Sequence, residues 1–156
     1  MTLRNFGVGV PAMLLCLVLQ IAVVFWCVRY CSRETAHDPG RSSWRKAVRP
    51  LAVSMLAMMI ANVVQITLWG CLFVWLGEFA ELYQAIYHSA VNFTSLGYGD
   101  VVMNQEWKLL GPLEAANGML MLAMSAAALT AILQHIIRSQ ADAIRGRPPR
   151  RRNPGE

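Results

Sequence analysis

The chain has 156 residues, enough for one domain, and 56% of them are hydrophobic while only 15% are charged. Soluble globular domains carry about 25% charged residues, so this composition excludes a large soluble enzyme, a disordered chain and a secreted disulfide scaffold. The cysteines have neither disulfide-framework spacing nor clustered histidines, and we predict packing roles for all four: Cys16, Cys27, Cys31 and Cys71. The composition predicts a membrane protein.

Three apolar segments, residues 8–28, 51–76 and 113–137, are long enough to cross a hydrocarbon layer of about 30 Å as helices. The first follows a short start that contains Arg4, but its apolar run is about twice that of a secretory signal and no small-residue cleavage site follows. We therefore expect residues 1–30 to be retained as an N-terminal transmembrane helix, which gives three spans.

The charges orient these spans. Arginine and lysine concentrate in residues 29–49 and after Ile137, whereas the stretch between the second and third spans is mainly acidic. By the positive-inside rule, residues 31–50 form a basic cytoplasmic linker and residues 138–156 a basic, disordered cytoplasmic tail, with the N-terminus outside the cell. The membrane is predicted to be the plasma (cell inner) membrane. Topology explains the net charge of +5, and no nucleic-acid binding is expected.

Three further predictions concern residues at the ends of the spans. Residues 41–48 form either a short surface helix or a plain linker, with Pro50 opening the next helix. The arginines of residues 145–152 either only fix orientation or also bind anionic lipid. Aromatic residues are predicted to mark the two membrane interfaces, on one side Trp26 and Tyr30 and on the other Trp69, Trp75 and Trp107.

A fourth segment, residues 82–96, is moderately apolar but too short to span, and Gly97-Tyr98-Gly99 follows it. Irregular backbone is tolerated at membrane depth only where protein or water surrounds it, so this segment is predicted to be re-entrant. Two glycines around an aromatic residue allow a backbone that turns successive carbonyls toward one axis, where they can replace the hydration shell of an ion.

The stretch that contains these glycines reads Thr94-Ser95-Leu96-Gly97-Tyr98-Gly99-Asp100. It resembles the pore domain of the potassium channel family, whose filter is Thr-Val-Gly-Tyr-Gly followed by Asp. The resemblance implies a pore domain over residues 51–137, built from four parts in order: outer helix 51–76, pore helix 82–94, filter 95–99 and inner helix 112–137. It also implies a homotetramer, since one loop supplies a quarter of each carbonyl ring. The expected fold is an all-α membrane protein with three transmembrane helices, a re-entrant pore helix and a filter.

The same resemblance implies that K+ is the permeant ion and that no organic cofactor is needed. The K+ ligands would be four successive carbonyl groups, those of Ser95, Leu96, Gly97 and Tyr98. Ser95 stands where the family has Thr and keeps the innermost hydroxyl, while Leu96 replaces a Val and is expected to point away from the axis. Gly99 completes the filter, and Asp100 is expected at its outer mouth.

Residues around the filter are predicted to support it. By the resemblance, Tyr87 braces Tyr98 from behind. His88 either hydrogen-bonds Tyr98 or Asp100 and makes the filter sensitive to protons, or fills an aromatic site as a neutral histidine. Thr94 adds a hydroxyl behind the filter, and the C-terminal end of the pore-helix dipole stabilises a cation.

The third span begins with Pro112 at the first helical position and Glu114 in the first turn. Glu114 either complements the helix dipole or anchors the back of the filter, because an ionisable group at membrane depth indicates function. Gly118 and the small residues of 123–131 are predicted to allow close helix packing.

Other functions fit less well. His88, Ser89 and Asp100 do not make an enzyme site, since adjacent helical side chains point apart and no nucleophile elbow is present. No segment carries arginine at every third position, so no voltage sensor is predicted. A weakly selective cation channel and a non-conducting regulatory membrane subunit remain alternatives to a potassium channel.

Overall fold

A computed structural model describes the backbone of residues 2–36 and 44–145, and the side chains of residues 2–34 and 48–141. Throughout this part of the chain the regular elements are helices. In chain order they are α1 (Thr2–Ala36), α2 (Trp44–Trp75), α3 (Leu82–Phe93) and α4 (Leu110–Arg145).

Three helices are long and apolar enough to cross a membrane: Thr2–Glu34 in α1, Val48–Trp75 in α2 and Leu110–Ala141 in α4. Large apolar side chains such as Val18 and Met59 are exposed on them. A helix that is apolar on its outer face as well as toward its neighbours is suited to lipid and not to water. The prediction of an all-helical membrane protein with three spans is therefore confirmed.

The start of α2 differs from both alternatives for residues 41–48. The helix already begins at Trp44 and contains Pro50 in its interior, so Pro50 does not open it. A proline inside a helix removes one backbone hydrogen bond, but this ring is fully buried and contributes to packing. Residues 37–43 of the predicted linker lie outside the described residues.

Helix α4 is longer at both ends than the predicted inner helix. It begins at Leu110, which places Pro112 third but still in the first turn, where backbone N–H groups need no helical partner. It continues to Arg145, so residues 138–145 are helical, where the sequence predicted disorder. This stretch lacks glycine and proline, which follow only at Gly146 and Pro148. Residues 146–156 of the predicted tail lie outside the described part of the chain.

Buried apolar residues form a cluster at each end of the helical bundle. The cluster near the predicted filter joins all four helices and consists of Cys16, Trp69, Phe73, Phe79, Ala85, Met103, Trp107 and Leu110. The cluster at the opposite end joins the three long helices and consists of Cys27, Cys31, Met58, Ala128, Ile132 and Ile136. Three of the four cysteines are thus packing residues as predicted, whereas Cys71 is exposed.

Two of the tryptophans predicted at a membrane interface lie in the core instead. Trp69 and Trp107 are buried in the filter-side cluster, where the four helices and the segment before α4 pack together. Trp75 is exposed, and Trp26 stacks on Tyr30 with ring centroids 5.5 Å apart. Some aromatic residues near helix ends therefore pack in the protein core, and others are exposed on the outside of the bundle.

A buried chain of hydrogen bonds joins the three long helices between the two clusters. Gln65 Nε2 in α2 donates to Gln20 Oε1 in α1 at 2.8 Å, and Gln20 Nε2 donates to Ser125 Oγ in α4 at 2.8 Å. Hydrogen bonds between helices in a membrane are worth about 0.6 kcal/mol each on average. Specific polar contacts therefore hold α1 against the other two spans.

The start of α1 is also fixed to the segment before α4. Asn5 Nδ2 donates to the Glu106 carbonyl at 2.8 Å, and the Arg4 guanidinium lies 4.2 Å from the centre of the Trp107 ring. The Arg4–Glu106 ion pair, at 3.3 Å, is exposed and adds little. The N-terminus therefore lies at the same end of the bundle as the segment that follows the predicted filter.

Candidate selectivity filter

Helix α3 fits between α2 and α4 because each neighbour presents a glycine to it. A Cβ atom on Gly70 of α2 would lie 3.0 Å from Ile86 Cα, and one on Gly118 of α4 would lie 2.0 Å from the Phe93 carbonyl oxygen. Backbone therefore packs directly on backbone at both contacts. The close packing predicted at Gly118 is confirmed, and it occurs at the last residue of α3.

The C-terminus of α3 ends in a tight cap. The Ser95 N–H donates to the Asn92 carbonyl at 2.8 Å and the Leu96 N–H to the Val91 carbonyl at 2.9 Å, the two bonds of a Schellman motif. The Thr94 hydroxyl donates to the Ala90 carbonyl of its own helix at 2.7 Å, not to the filter. The negative end of the helix dipole therefore adjoins Ser95.

The backbone after this cap alternates in the sign of φ. Ser95, Gly97 and Gly99 have φ angles of +56°, +63° and +72°, whereas Leu96 and Tyr98 between them have negative φ. Alternation between right- and left-handed conformations brings successive carbonyls to one side of a chain, unlike a regular strand, in which they alternate. The two glycines adopt these angles without steric cost, and Ser95 adopts them as part of the cap.

The segment lies on the surface of the single chain. Residues 94–100 are all exposed, and the side chains of Leu96 and Tyr98 are 57% and 69% exposed. The packing that the sequence predicted around Leu96 and behind Tyr98 is thus not supplied by the described part of the chain. Among the described residues, 2–36 and 44–145, none covers this segment.

Tyr87 and Asp100 connect α3 to the far end of the segment. The Tyr87 hydroxyl donates to Asp100 Oδ2 at 2.7 Å, and the Val101 N–H donates to Asp100 Oδ1 at 3.0 Å. The hydrogen bond from Tyr87 lowers the pKa of Asp100 and raises the pKa of Tyr87 itself. Asp100 is therefore an ionised carboxylate at neutral pH. The resemblance implied that Tyr87 braces Tyr98, and in the single chain its hydroxyl hydrogen-bonds Asp100.

His88 lies between the rings of Phe73 and Phe79, with centroid distances of 5.7 and 5.2 Å. Its Nδ1 is 2.9 Å from the Val101 carbonyl, and its Nε2 is 2.9 Å from Asn92 Nδ2. A carbonyl accepts and an amide nitrogen donates, so Nδ1 carries the hydrogen and Nε2 accepts. His88 is thus assigned as a neutral ring that bonds Val101 and Asn92, rather than Tyr98 or Asp100.

Acidification should destabilise the chain through His88. Burial lowers the pKa of His88 below its usual 6.5, against smaller opposing effects of the Val101 carbonyl, Asp100 and Glu78. The unfolded chain therefore takes up this proton first, and stability falls as pH drops below 6.5. We expect the melting temperature in detergent to fall between pH 6.5 and 5, and His88→Gln to reduce that fall. His135→Gln is the control, and equal pH dependence in both variants would contradict the assignment.

Glu114 is fully buried and reaches α3. Its Oε1 is 2.5 Å from Ser89 Oγ, and its Oε2 accepts a hydrogen bond of 3.2 Å from Asn92 Nδ2. Because α4 starts at Leu110, Glu114 is its fifth residue and bonds another helix instead of its own N-terminus. Sequence reasoning missed Ser89 and Asn92 as partners. Their spacing of three, which places them on one face of α3, was the available signal.

Comparison with known proteins places these elements in a family. A family model described as "Ion channel" matches residues 51–135, more than half of the chain. The match covers most of α2, all of α3, the filter segment and most of α4, but not α1. Searches of curated proteins and of solved structures found no match. The chain therefore belongs to the two-transmembrane pore-domain ion channel family.

Proposed function

We propose that four copies of this chain form a potassium-selective channel that conducts K+ passively through the carbonyls of residues 95–98. The observation that carries the proposal is the alternation of positive and negative φ from Ser95 to Gly99, in an exposed segment at the end of α3. Such a backbone offers a row of carbonyl oxygens to a cation.

The exposure of that segment supports an assembly of several copies, and the number four comes from the resemblance to the potassium channel family. Lipid cannot satisfy irregular polar backbone, so an exposed filter at membrane depth must be covered by protein or water. Copies related by a closed symmetry axis would cover the segment identically. Each carbonyl would then be one member of a ring of equivalent carbonyls around the axis. Small exposed residues of α4, such as Ala123 and Ala127, leave room for a neighbouring helix to approach.

Potassium is favoured by the residues and by the local field. Gly97-Tyr98-Gly99 matches the potassium filter sequence that the chain resembles. The negative end of the α3 dipole precedes Ser95, and the ionised Asp100 follows Gly99. Both stabilise a cation near the filter without coordinating it.

Flux through the purified protein tests this proposal. Liposomes that contain the protein should pass K+ at least about tenfold faster than Na+, and detergent-solubilised protein should have four times the 17.3 kDa mass of one chain. Comparable K+ and Na+ flux would instead indicate a weakly selective cation channel. A homotetramer without flux would favour a non-conducting subunit, and a conducting monomer or dimer would contradict the assembly.

The proposal includes an orientation in the plasma membrane with the filter loop outside. Support comes from the basic residues near the ends of α1 and α4 away from the filter, and from Asn5, which ties the N-terminus to Glu106 on the filter side. The basic end of α4 and the following tail would lie against anionic lipid. Residues 146–156, which carry most of those arginines, are outside the described residues.

Cysteine labelling checks this orientation. After removal of the native cysteines, an impermeant thiol reagent applied to intact cells should label Gln105→Cys and leave Glu34→Cys unmodified. Both sites are exposed, so accessibility differs only through the membrane. Labelling of Glu34→Cys alone would reverse the orientation.

A further inference from the structure

A row of three oxygens links α2, α3 and α4 behind the filter. Ser89 Oγ lies 2.7 Å from the Ile66 carbonyl oxygen of α2 and 2.5 Å from Glu114 Oε1 of α4. Each of these short separations requires a hydrogen between the two oxygens. The Ser89 hydroxyl has one hydrogen, and the Ile66 carbonyl has none. The second hydrogen must therefore come from Glu114.

We propose that Glu114 is a neutral carboxylic acid that donates its proton to Ser89, and that this bond positions α3 for conduction. Ser89 then donates to Ile66, while Glu114 Oε2 accepts from Asn92, so every group in the row is paired. The protonation stands independently, whereas the effect on conduction rests on the proposed channel function.

The surroundings agree with a neutral acid. Glu114 is fully buried, and both hydrogen-bond partners are uncharged. Burial of a carboxylate among uncharged partners is unfavourable. The titratable groups that face it are Cys16 of α1 and, through Asn92, the neutral His88 of α3. On the α2 side, the Ser89 hydroxyl that contacts Glu114 also contacts the Ile66 carbonyl, a backbone group that does not titrate.

Removal of the proton should disturb the position of α3. The Ser89 hydroxyl could then satisfy either Ile66 or Glu114, and the other contact would bring two acceptor oxygens together without a hydrogen. The Schellman cap at the end of α3 includes the N–H groups of Ser95 and Leu96, the first two residues of the filter. A movement of α3 would therefore displace the filter. Flux should therefore decline toward alkaline pH, whereas the loss of thermal stability expected from His88 occurs toward acid pH.

Infrared spectroscopy of the full-length protein in liposomes tests the protonation directly. At neutral pH the spectrum should contain the carbonyl stretch of a protonated acid that is lost in Glu114→Gln and kept in the exposed control Glu106→Gln. A carboxylate signal assigned to Glu114 instead would overturn the proposal, whether or not the protein conducts. Titration of the same band in the unmodified protein gives the answer if Glu114→Gln does not fold.

Flux measurements test the positioning role. Glutamine can donate to Ser89 and accept from Asn92 as the neutral acid does, so Glu114→Gln should retain K+ flux and lose the alkaline decline. Glu114→Ala should reduce flux by about tenfold. The same alkaline decline in Glu114→Gln would overturn the positioning role. An acid band without flux in the unmodified protein would support the protonation and contradict the channel function.

Discussion

Replacing Gly118 by alanine should abolish flux and reduce assembly of the folded protein. The new Cβ atom would lie 2.0 Å from the Phe93 carbonyl oxygen, 2.7 Å from its carbon and 2.8 Å from its Cα. These are backbone atoms at the end of α3, so no side-chain rotation relieves the overlap. Overpacking typically costs about 1–3 kcal/mol, and we expect a loss of at least 3 kcal/mol in the free energy of unfolding per chain.

The control for this change is Gly7→Ala in α1, where a Cβ atom meets nothing within 4 Å. It adds the same methyl group to a long helix and should leave folding and flux nearly unchanged. Chemical denaturation in detergent and flux in liposomes measure both variants. Wild-type flux in Gly118→Ala would mean that α4 does not contact α3 as described.

Replacing Gly97 by alanine should abolish K+ flux by a different mechanism. Gly97 has a φ of +63° and open space around its Cα in the single chain, so the cost is conformational and not a clash. A left-handed alanine costs about 1–2 kcal/mol, which in a tetramer applies at four positions of one ring. Relaxation to negative φ would turn a carbonyl away from the shared side of the filter.

Gly77→Ala is a matched control for this strain. Gly77 also has a positive φ, +78°, with nothing within 4 Å of the new Cβ atom, but it lies in the turn between α2 and α3. Both variants should lose a similar amount of stability on thermal unfolding, whereas only Gly97→Ala should lose K+ flux. Potassium-selective flux in Gly97→Ala would exclude residues 95–99 as the filter.

The sequence predicted the features that depend on local composition. Apolar runs of more than twenty residues must form spans in lipid, because only a helix satisfies its own backbone there. The glycines at 97 and 99 predicted the left-handed positions, since few other residues adopt them. The pore helix, its end near Phe93 and the close contact at Gly118 were therefore predictable.

The tertiary structure decided which polar residues meet. Ser89 and Glu114 are 25 residues apart, Gln20 and Ser125 are 105 apart, and Asn5 and Glu106 are 101 apart. A sequence shows that each is a polar group in an apolar stretch that needs a partner, but several partners satisfy that need equally. Helix rotation and the glycine contacts of α3 select one of them.

Contacts between distant parts of the chain also explain why Trp75 is exposed whereas Trp69 and Trp107 are buried. All three lie near ends of apolar segments, and by sequence each could anchor in a membrane interface. The filter-side cluster buries Trp69 and Trp107, whereas Trp75 is exposed. Hydrophobic patterning determines that a side chain avoids water. Whether lipid or protein covers it depends on the packing of residues far apart in the chain.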